Sequence, residues 1–268
     1  MSYMFGLNHM CAPSLTLAEL FAMTKRLGLA EVEIRNDLTG NAILDGTSPA
    51  DVKALAKEHG VNIATINALQ KFNHWSDVRA AEAEELAAYA AACGAKALVL
   101  VAANDGTGRA NGERQANLRI ALKGLAPILE RHGIQGLVEP LGFETCSLRL
   151  KSEAVDAITS LKLESHFRLV HDTFHHHVAG EVAVFPAHTG LVHISGVTDP
   201  RVSIADMRDS HRVLVTAADR IDNVGQIKAI TKTKPNVLLS FEPFSDAVHN
   251  SKSIEADLKN SMDFVAAA

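Results

Sequence analysis

Short runs rich in β-forming residues alternate along the whole chain with longer stretches rich in Ala, Leu, Glu and Lys. A strand that is followed by a helix and then by another strand is typical of parallel sheets, because a parallel connection needs a long crossover. The alternation continues without a low-complexity tract or a linker-like segment. It therefore predicts an α/β fold with parallel strands joined by crossover helices.

The alternation contains eight strand-like runs. We predict strands over residues 3–7, 31–34, 62–66, 97–102, 136–139, 168–170, 191–193 and 237–241. We predict helices over about residues 15–27, 49–59, 76–92, 112–132, 152–161, 223–230 and 253–265. Eight βα units in about 250 residues are typical of a closed (β/α)8 barrel, the TIM barrel. The chain has 268 residues, so we expect one such domain over residues 1–268.

The longest connection follows the seventh predicted strand. It covers residues 196–222, is rich in charged residues and turn formers, and carries Arg201, Arg208 and Arg212. Long loops in compact domains are usually binding segments or lids. We therefore expect this segment to lie over the barrel mouth.

The charge and the cysteines limit the classes of partner. A formal net charge of -5 provides no basic face for the phosphates of nucleic acid. Cys11, Cys93 and Cys146 are an odd number without a CxxC pair, so they predict neither a disulfide framework nor a thiolate zinc site. The chain starts without a basic targeting segment, and its apolar runs are shorter than the ~20 residues of a membrane helix. We expect a cytoplasmic protein with a small-molecule substrate and without nucleic-acid or membrane partners; a homo-oligomer is compatible with the sequence.

Four polar residues stand at the ends of the last four predicted strands. They are Glu139, Asp172, His193 and Glu242. The active site of a TIM barrel lies at the carboxyl ends of its strands, so barrel closure would bring these side chains together. Each one alone is as often a structural hydrogen-bonding residue as a ligand. Carboxylates that converge without a cation repel one another, however, so the four together predict a bound metal ion.

Three carboxylates and one imidazole form a mostly hard ligand set. We expect one divalent ion per chain, with Mn²⁺ as the first choice and Mg²⁺, Co²⁺ or Zn²⁺ also compatible. Such an ion polarises a substrate carbonyl and stabilises an enediolate oxygen. Two of the carboxylates are then available for proton transfer.

Several motifs accompany these four residues. Asp172-Thr-Phe-His175 and the strand-end Glu242 are the more specific ones, whereas Glu-Ile-Arg at 33–35 and Asn-Ala-Leu at 67–69 are less so. Further motifs lie at residues 139–143, 192–194 and 209–212. Together they resemble the xylose isomerase-like superfamily of TIM barrels, and within it the inosose isomerases of inositol catabolism. The resemblance spans nearly the whole chain.

This resemblance implies a role for each strand-end residue. It implies that all four bind the metal and that Glu139 and Glu242 face each other across the substrate as the acid/base pair. It also implies that His175, in the loop after Asp172, contacts a substrate oxygen. From the residues alone, the histidines at 171 and 175–177 are equally compatible with a solvated histidine-rich turn.

Weaker candidates at the barrel mouth follow the first three predicted strands. They are Asn8, His9, Glu33, Arg35, Asn67 and Lys71. A cation beside an enediolate would stabilise it, which draws attention to Lys71 and Arg212. The residues that we expect to bind the substrate, besides His175, are Lys71, Arg212, Asn67 and Asn8. Phe72 and Trp75 either form an apolar wall under the ring carbons or pack beneath the following helix.

The leading hypothesis is therefore a metal-dependent isomerase of ketoses or inososes. Inosose dehydratases, ketose 3-epimerases and hydroxypyruvate isomerases of the same superfamily remain alternatives. Residues 142–145 and 197–200 depart from the pattern of the ketose 3-epimerases, which carry an additional Glu and Arg there. An endonuclease IV-like repair enzyme, which needs more metal ligands on the early strands, and a non-catalytic sugar-binding barrel are weaker alternatives.

Overall fold

A computed structural model describes residues 3–268 and contains eight parallel strands that close into a barrel. The strands are β1 Met4–Asn8, β2 Glu31–Arg35, β3 Asn62–Gln70, β4 Ala97–Val101, β5 Gln135–Glu139, β6 Phe167–Asp172, β7 Thr189–Ile194 and β8 Leu238–Phe241. Each strand pairs with the next one along the chain, and β8 pairs with β1. The (β/α)8 barrel predicted from the sequence is therefore confirmed.

Helices connect the strands on the outside of the barrel. They are α1 Leu17–Arg26, α2 Pro49–His59, α3 Asp77–Cys93, α4 Glu113–His132, α5 Lys151–Ser160, α6 Thr173–Ala179, α7 Asn223–Thr231, α8 Asp246–His249 and α9 Ile254–Ala267. Local chemistry sets their ends. At α2, for example, the Ser48 side chain accepts from the backbone of Asp51, and Gly60 ends the helix at a φ of +66°. Among residues 3–268, none of the helices is both long and apolar enough to cross a membrane.

Helix α6 differs from the sequence-based expectation. The sequence suggested a loop after Asp172, but Thr173–Ala179 forms a short helix whose N-cap is Asp172 itself. The Asp172 side chain accepts from the backbone N–H of His175. His175 therefore lies in a helix, and its side chain is buried rather than part of a solvated turn.

The alternation of side chains along the strands places the polar residues above an apolar layer. Leu137, Val170 and Leu191 belong to a small buried cluster inside the barrel. Successive side chains of a strand point to opposite faces, so the residue two positions further on returns to the same face. On β5, β6 and β7 that residue is Glu139, Asp172 or His193. The apolar layer therefore lies directly below these polar groups inside the barrel.

The segment after β7 is fastened to the mouth of the barrel at several points. Gly196 and Val213 form an isolated antiparallel bridge, which closes the residues between them into a loop. The backbone oxygen of Arg212 accepts from the N–H groups of Phe244 and Ser245, just after β8. Short helical turns at Ile204–Asp206 and Asp209–His211 lie between these anchors. The segment therefore holds Arg212 in a fixed position beside the end of β8.

Candidate metal centre

Four side chains converge at the carboxyl ends of β5 to β8. They form a quartet of Glu139, Asp172, His193 and Glu242, all buried. One ligand atom from each lies within 4.8 Å of the others. The Nδ1 atom of His193 is 2.9 Å from a carboxylate oxygen of Glu139, 3.2 Å from one of Glu242 and 4.0 Å from one of Asp172. Three carboxylates and one imidazole nitrogen that face a common point can hold a divalent ion.

The charges of the buried groups fit a divalent cation as well. The buried carboxylates of this region are Glu33, Glu139, Asp172 and Glu242, and the buried guanidinium groups are Arg35 and Arg212. An imidazole that binds a metal ion is neutral, and in that state the four carboxylates exceed the two guanidinium groups by two negative charges. Buried charges without partners are costly. One divalent cation would restore neutrality.

The two strand-end glutamates lie in different environments. Arg35 donates to one oxygen of Glu242 at 2.8 Å and Arg212 donates to the other at 2.9 Å. Burial would raise the pKa of Glu242, but the charges of His193, Arg212 and Arg35 outweigh it and lower that pKa. Glu139 makes no ion pair with an arginine in the described part of the chain, and burial raises its pKa. Glu139 is therefore the glutamate better able to take up a proton.

The guanidinium of Arg212 lies among the four side chains rather than at the rim of the mouth. Its side chain is fully buried, and it donates to Asp172 at 2.6 Å as well as to Glu242. It also donates from Nε to Ser195 and lies 4.6 Å from the ring centre of Phe244. In the sequence it was a candidate substrate contact; in the structure it also pairs with two of the four predicted ligands.

The candidates from the first strands form a buried network around Glu33. Asn67 donates to Glu33 at 3.0 Å, and Asn8 donates to Glu33 and Glu242. Both asparagine side chains are thus engaged by protein groups. From the sequence, Glu33 was only one of the weaker candidates at the barrel mouth; a carboxylate between two apolar residues in the middle of β2 was the signal for a larger role.

His175 carries a buried ring nitrogen that stays unpaired within residues 3–268. Its ring packs edge-on against Phe143 and Phe174, with centres 5.0 and 5.3 Å apart. Its buried Nδ1 has no hydrogen-bond partner among residues 3–268. Buried polar atoms are normally paired, so this one is suited to a substrate oxygen.

Other sequence candidates lie further from the four side chains. Lys71 is half exposed and pairs with Asp105 at 2.7 Å. Arg201 is 87% exposed and pairs with Asp199. Phe72 is completely buried in the core, and Trp75 packs on α4, where a Cβ added to Gly124 would collide with its ring. Trp75 thus packs beneath a helix, and Phe72 is a core residue.

A cavity of about 550 Å³ lies among the loops that follow the strands. Its walls come from the β5–α5 connection, α6 and the segment after β7, and they include Phe143, Arg149, Arg208 and Asp209. Phe143 touches His175, and Asp209 pairs with Arg212. The cavity wall therefore contacts His175 and Arg212, whereas the four candidate ligands themselves do not line it.

A family model for xylose isomerase-like TIM barrels matches residues 21–267. The chain belongs to the xylose isomerase-like TIM barrel family. A crystal structure of a xylose isomerase domain-containing protein from Salmonella typhimurium LT2 is 32% identical to this family member, with a TM-score of 0.89 over 100% of this chain and 98% of the other. In sequence, no curated protein matches this family member.

More distant solved structures share its fold. An IolI protein with a bound zinc atom is 20% identical, with a TM-score of 0.84 over 98% of both chains. An L-ribulose 3-epimerase is 16% identical, with a TM-score of 0.76 over 99% of this chain and 94% of the other. At these identities the likeness shows the fold alone.

Proposed function

We propose that the protein is a metal-dependent isomerase that moves a proton beside the carbonyl group of a small polyol ketone, with 2-keto-myo-inositol as the first substrate to test. The observation that carries this proposal is the convergence of three carboxylates and one imidazole at the barrel mouth. The zinc of the IolI protein and the epimerase activity named for another neighbour support a metal and a sugar-like substrate. Manganese remains our first choice of ion.

Each residue has a chemical task in this proposal. A bound divalent ion supplies Lewis-acid polarisation of the carbonyl. Glu139, which pairs with no arginine in the described residues 3–268, removes the proton from the adjacent carbon, and Glu242 is the second member of the acid/base pair. The positive charge of Arg212 stabilises the negative charge that develops on the substrate. The Nδ1 of His175, which has no partner among residues 3–268, binds a hydroxyl or carbonyl oxygen of the substrate and orients the substrate.

The metal site has its own test, separate from the reaction. Mn²⁺ at 100 times its dissociation constant should stabilise the folded protein by about 2.7 kcal/mol, because it binds the folded state alone. This stabilisation should raise the melting temperature. His193→Gln should abolish the increase and leave the metal-free protein folded. A wild-type protein that takes up no divalent ion in elemental analysis or calorimetry would contradict the site.

Proton exchange in deuterated water tests the reaction directly. The wild-type enzyme should exchange the proton beside the carbonyl in one member of a panel of inososes, ketoses and hydroxypyruvate. Glu139→Gln should slow that exchange by about 10²- to 10⁴-fold, and Glu242→Gln less so, at matched metal occupancy. If both variants exchange at the wild-type rate, the two-glutamate mechanism is wrong. If hydroxypyruvate exchanges and the inososes do not, the substrate changes and the mechanism stands; release of water would instead indicate a dehydratase.

A further inference from the structure

The carboxylate of Glu33 lies at the centre of the barrel and is completely buried. It accepts hydrogen bonds from four other strands. The donors are Asn8 on β1, Thr65 and Asn67 on β3, His193 on β7 and Ser240 on β8. Thr65 donates at 2.6 Å and Asn67 at 3.0 Å, both to the same oxygen. The amide groups of Asn8 and Asn67 can only donate here and reach both carboxylate oxygens, an arrangement that fits an ionised carboxylate, which accepts and does not donate.

This arrangement determines which nitrogen of His193 carries the proton. The Nε2 atom lies 3.1 and 3.2 Å from the two oxygens of Glu33. Because Glu33 has no proton to give, Nε2 must be the donor. An imidazole that binds a cation is neutral, so in the metal-bound protein the lone pair lies on Nδ1, the atom that faces Glu139 and Glu242.

Without Glu33 the imidazole would have an alternative. The proton could lie on Nδ1 and donate to Glu139, 2.9 Å away. In that tautomer Nδ1 offers no lone pair, and a cation at the centre of the quartet would lose one of its four ligands. Carboxylates that bind the second nitrogen of a ligating histidine prevent this change and hold the ring in place.

We propose that Glu33 is a positioning residue that fixes the ring and the tautomer of His193, so that Nδ1 is free to bind the cation. The inference rests on the proposed metal centre. It adds a requirement from the first half of the barrel, because the four ligand side chains all come from β5 to β8 and the loops after them. Thr65, Asn67 and Ser240 support Glu33 and act on the ion only through it.

Cadmium-113 NMR tests the tautomer in the wild-type protein. In protein loaded with ¹¹³Cd²⁺ and labelled with ¹⁵N, coupling between the metal and nitrogen identifies the ligating atom. We expect coupling to Nδ1 of one histidine and a protonated Nε2 on the same ring. Coupling to Nε2 would overturn the proposal even if every variant failed to fold. If the wild-type protein bound no ion, the proposed metal centre itself would be wrong, and the role of Glu33 would be wrong with it.

Two variants of similar size separate positioning from packing. Glu33→Gln keeps the shape but places an amide N–H₂ beside Nε2, which favours a proton on Nδ1. We expect its affinity for Zn²⁺, measured by chelator competition, to fall about 10- to 100-fold. Thr65→Val removes one donor to the same carboxylate but leaves the contact to His193, so its zinc affinity should stay near that of the wild type. Melting temperatures in chelator measure the change in folding stability of each variant.

The outcomes are distinct. A wild-type zinc affinity in Glu33→Gln would overturn the proposal, because the carboxylate would then be dispensable. Equal losses of affinity in Glu33→Gln and Thr65→Val would also overturn it, because the effect would belong to the packing of the network. A loss confined to Glu33→Gln, together with weakened coupling of cadmium to Nδ1, would support it.

Discussion

Replacement of Arg212 by Met should destabilise the protein strongly. The guanidinium is fully buried and pairs with Asp172 and Glu242. Met keeps a long apolar stem, whereas the guanidinium is lost with its charge and its contact to the Phe244 ring. Loss of one partner of a buried ion pair costs about 3–5 kcal/mol, because the remaining charges stay buried without compensation.

The expected change in melting temperature follows from the size of the protein. Domains of this size lose about 2–4 °C per kcal/mol, so Arg212→Met should melt roughly 6–20 °C below the wild type in chelator. A divalent ion adds positive charge beside the same two carboxylates, so the difference should shrink when metal is present. Differential scanning calorimetry with and without metal measures both effects.

Arg201→Met is the matched control. The same substitution there removes a guanidinium that is 87% exposed and paired with Asp199. Exposed ion pairs contribute about 0–1 kcal/mol, so this variant should melt within a few degrees of the wild type. If both variants show the same small change, Arg212 does not compensate the buried carboxylates and the reasoning is refuted.

Three further predictions concern α6. Gly142→Ala should cost about 1–3 kcal/mol in urea unfolding and reduce turnover, because the new Cβ would lie 2.1 Å from the backbone oxygen of His175; an unchanged midpoint would contradict that contact. His175→Ala should keep its metal content and lose turnover, and loss of the metal would show the assignment to be wrong. Burial, with the charge of Lys151, lowers the pKa of His176 to about 4, so the unfolded chain binds the proton first as the pH falls from ~6.5 towards 4. Stability should fall over that range, and less steeply in His176→Gln.

The sequence predicted the barrel because every βα unit carries its own periodic signal. The ends of β5 to β8 were recognisable for the same reason: an apolar run that stops at Glu139 or His193 places that residue at the mouth. Strand β3 was predicted to end at residue 66 but continues to Gln70. It continues because Leu69 and Gln70 pair with residues of β4, and the sequence pattern of β3 does not show this pairing.

The sequence alone could not predict helix α6 or the environment of Arg212. Thr173–Ala179 is only two turns long and contains three histidines, so its local signal resembles a turn. The position of Arg212 depends on the anchoring of its backbone to Phe244 and Ser245, which is a long-range contact. Neither periodicity nor residue type reveals such a contact.

The two halves of the barrel divide the labour at the mouth. The groups that face the proposed ion come from the second half of the chain, whereas Asn8, Glu33 and Arg35 on β1 and β2 hold those groups in place. Substitutions on the first strands can therefore retune the acidity and the ion preference of the centre while every ligand stays the same. Two relatives with identical quartets can differ in chemistry for this reason. Divergence of activity within the family is best sought at these supporting positions.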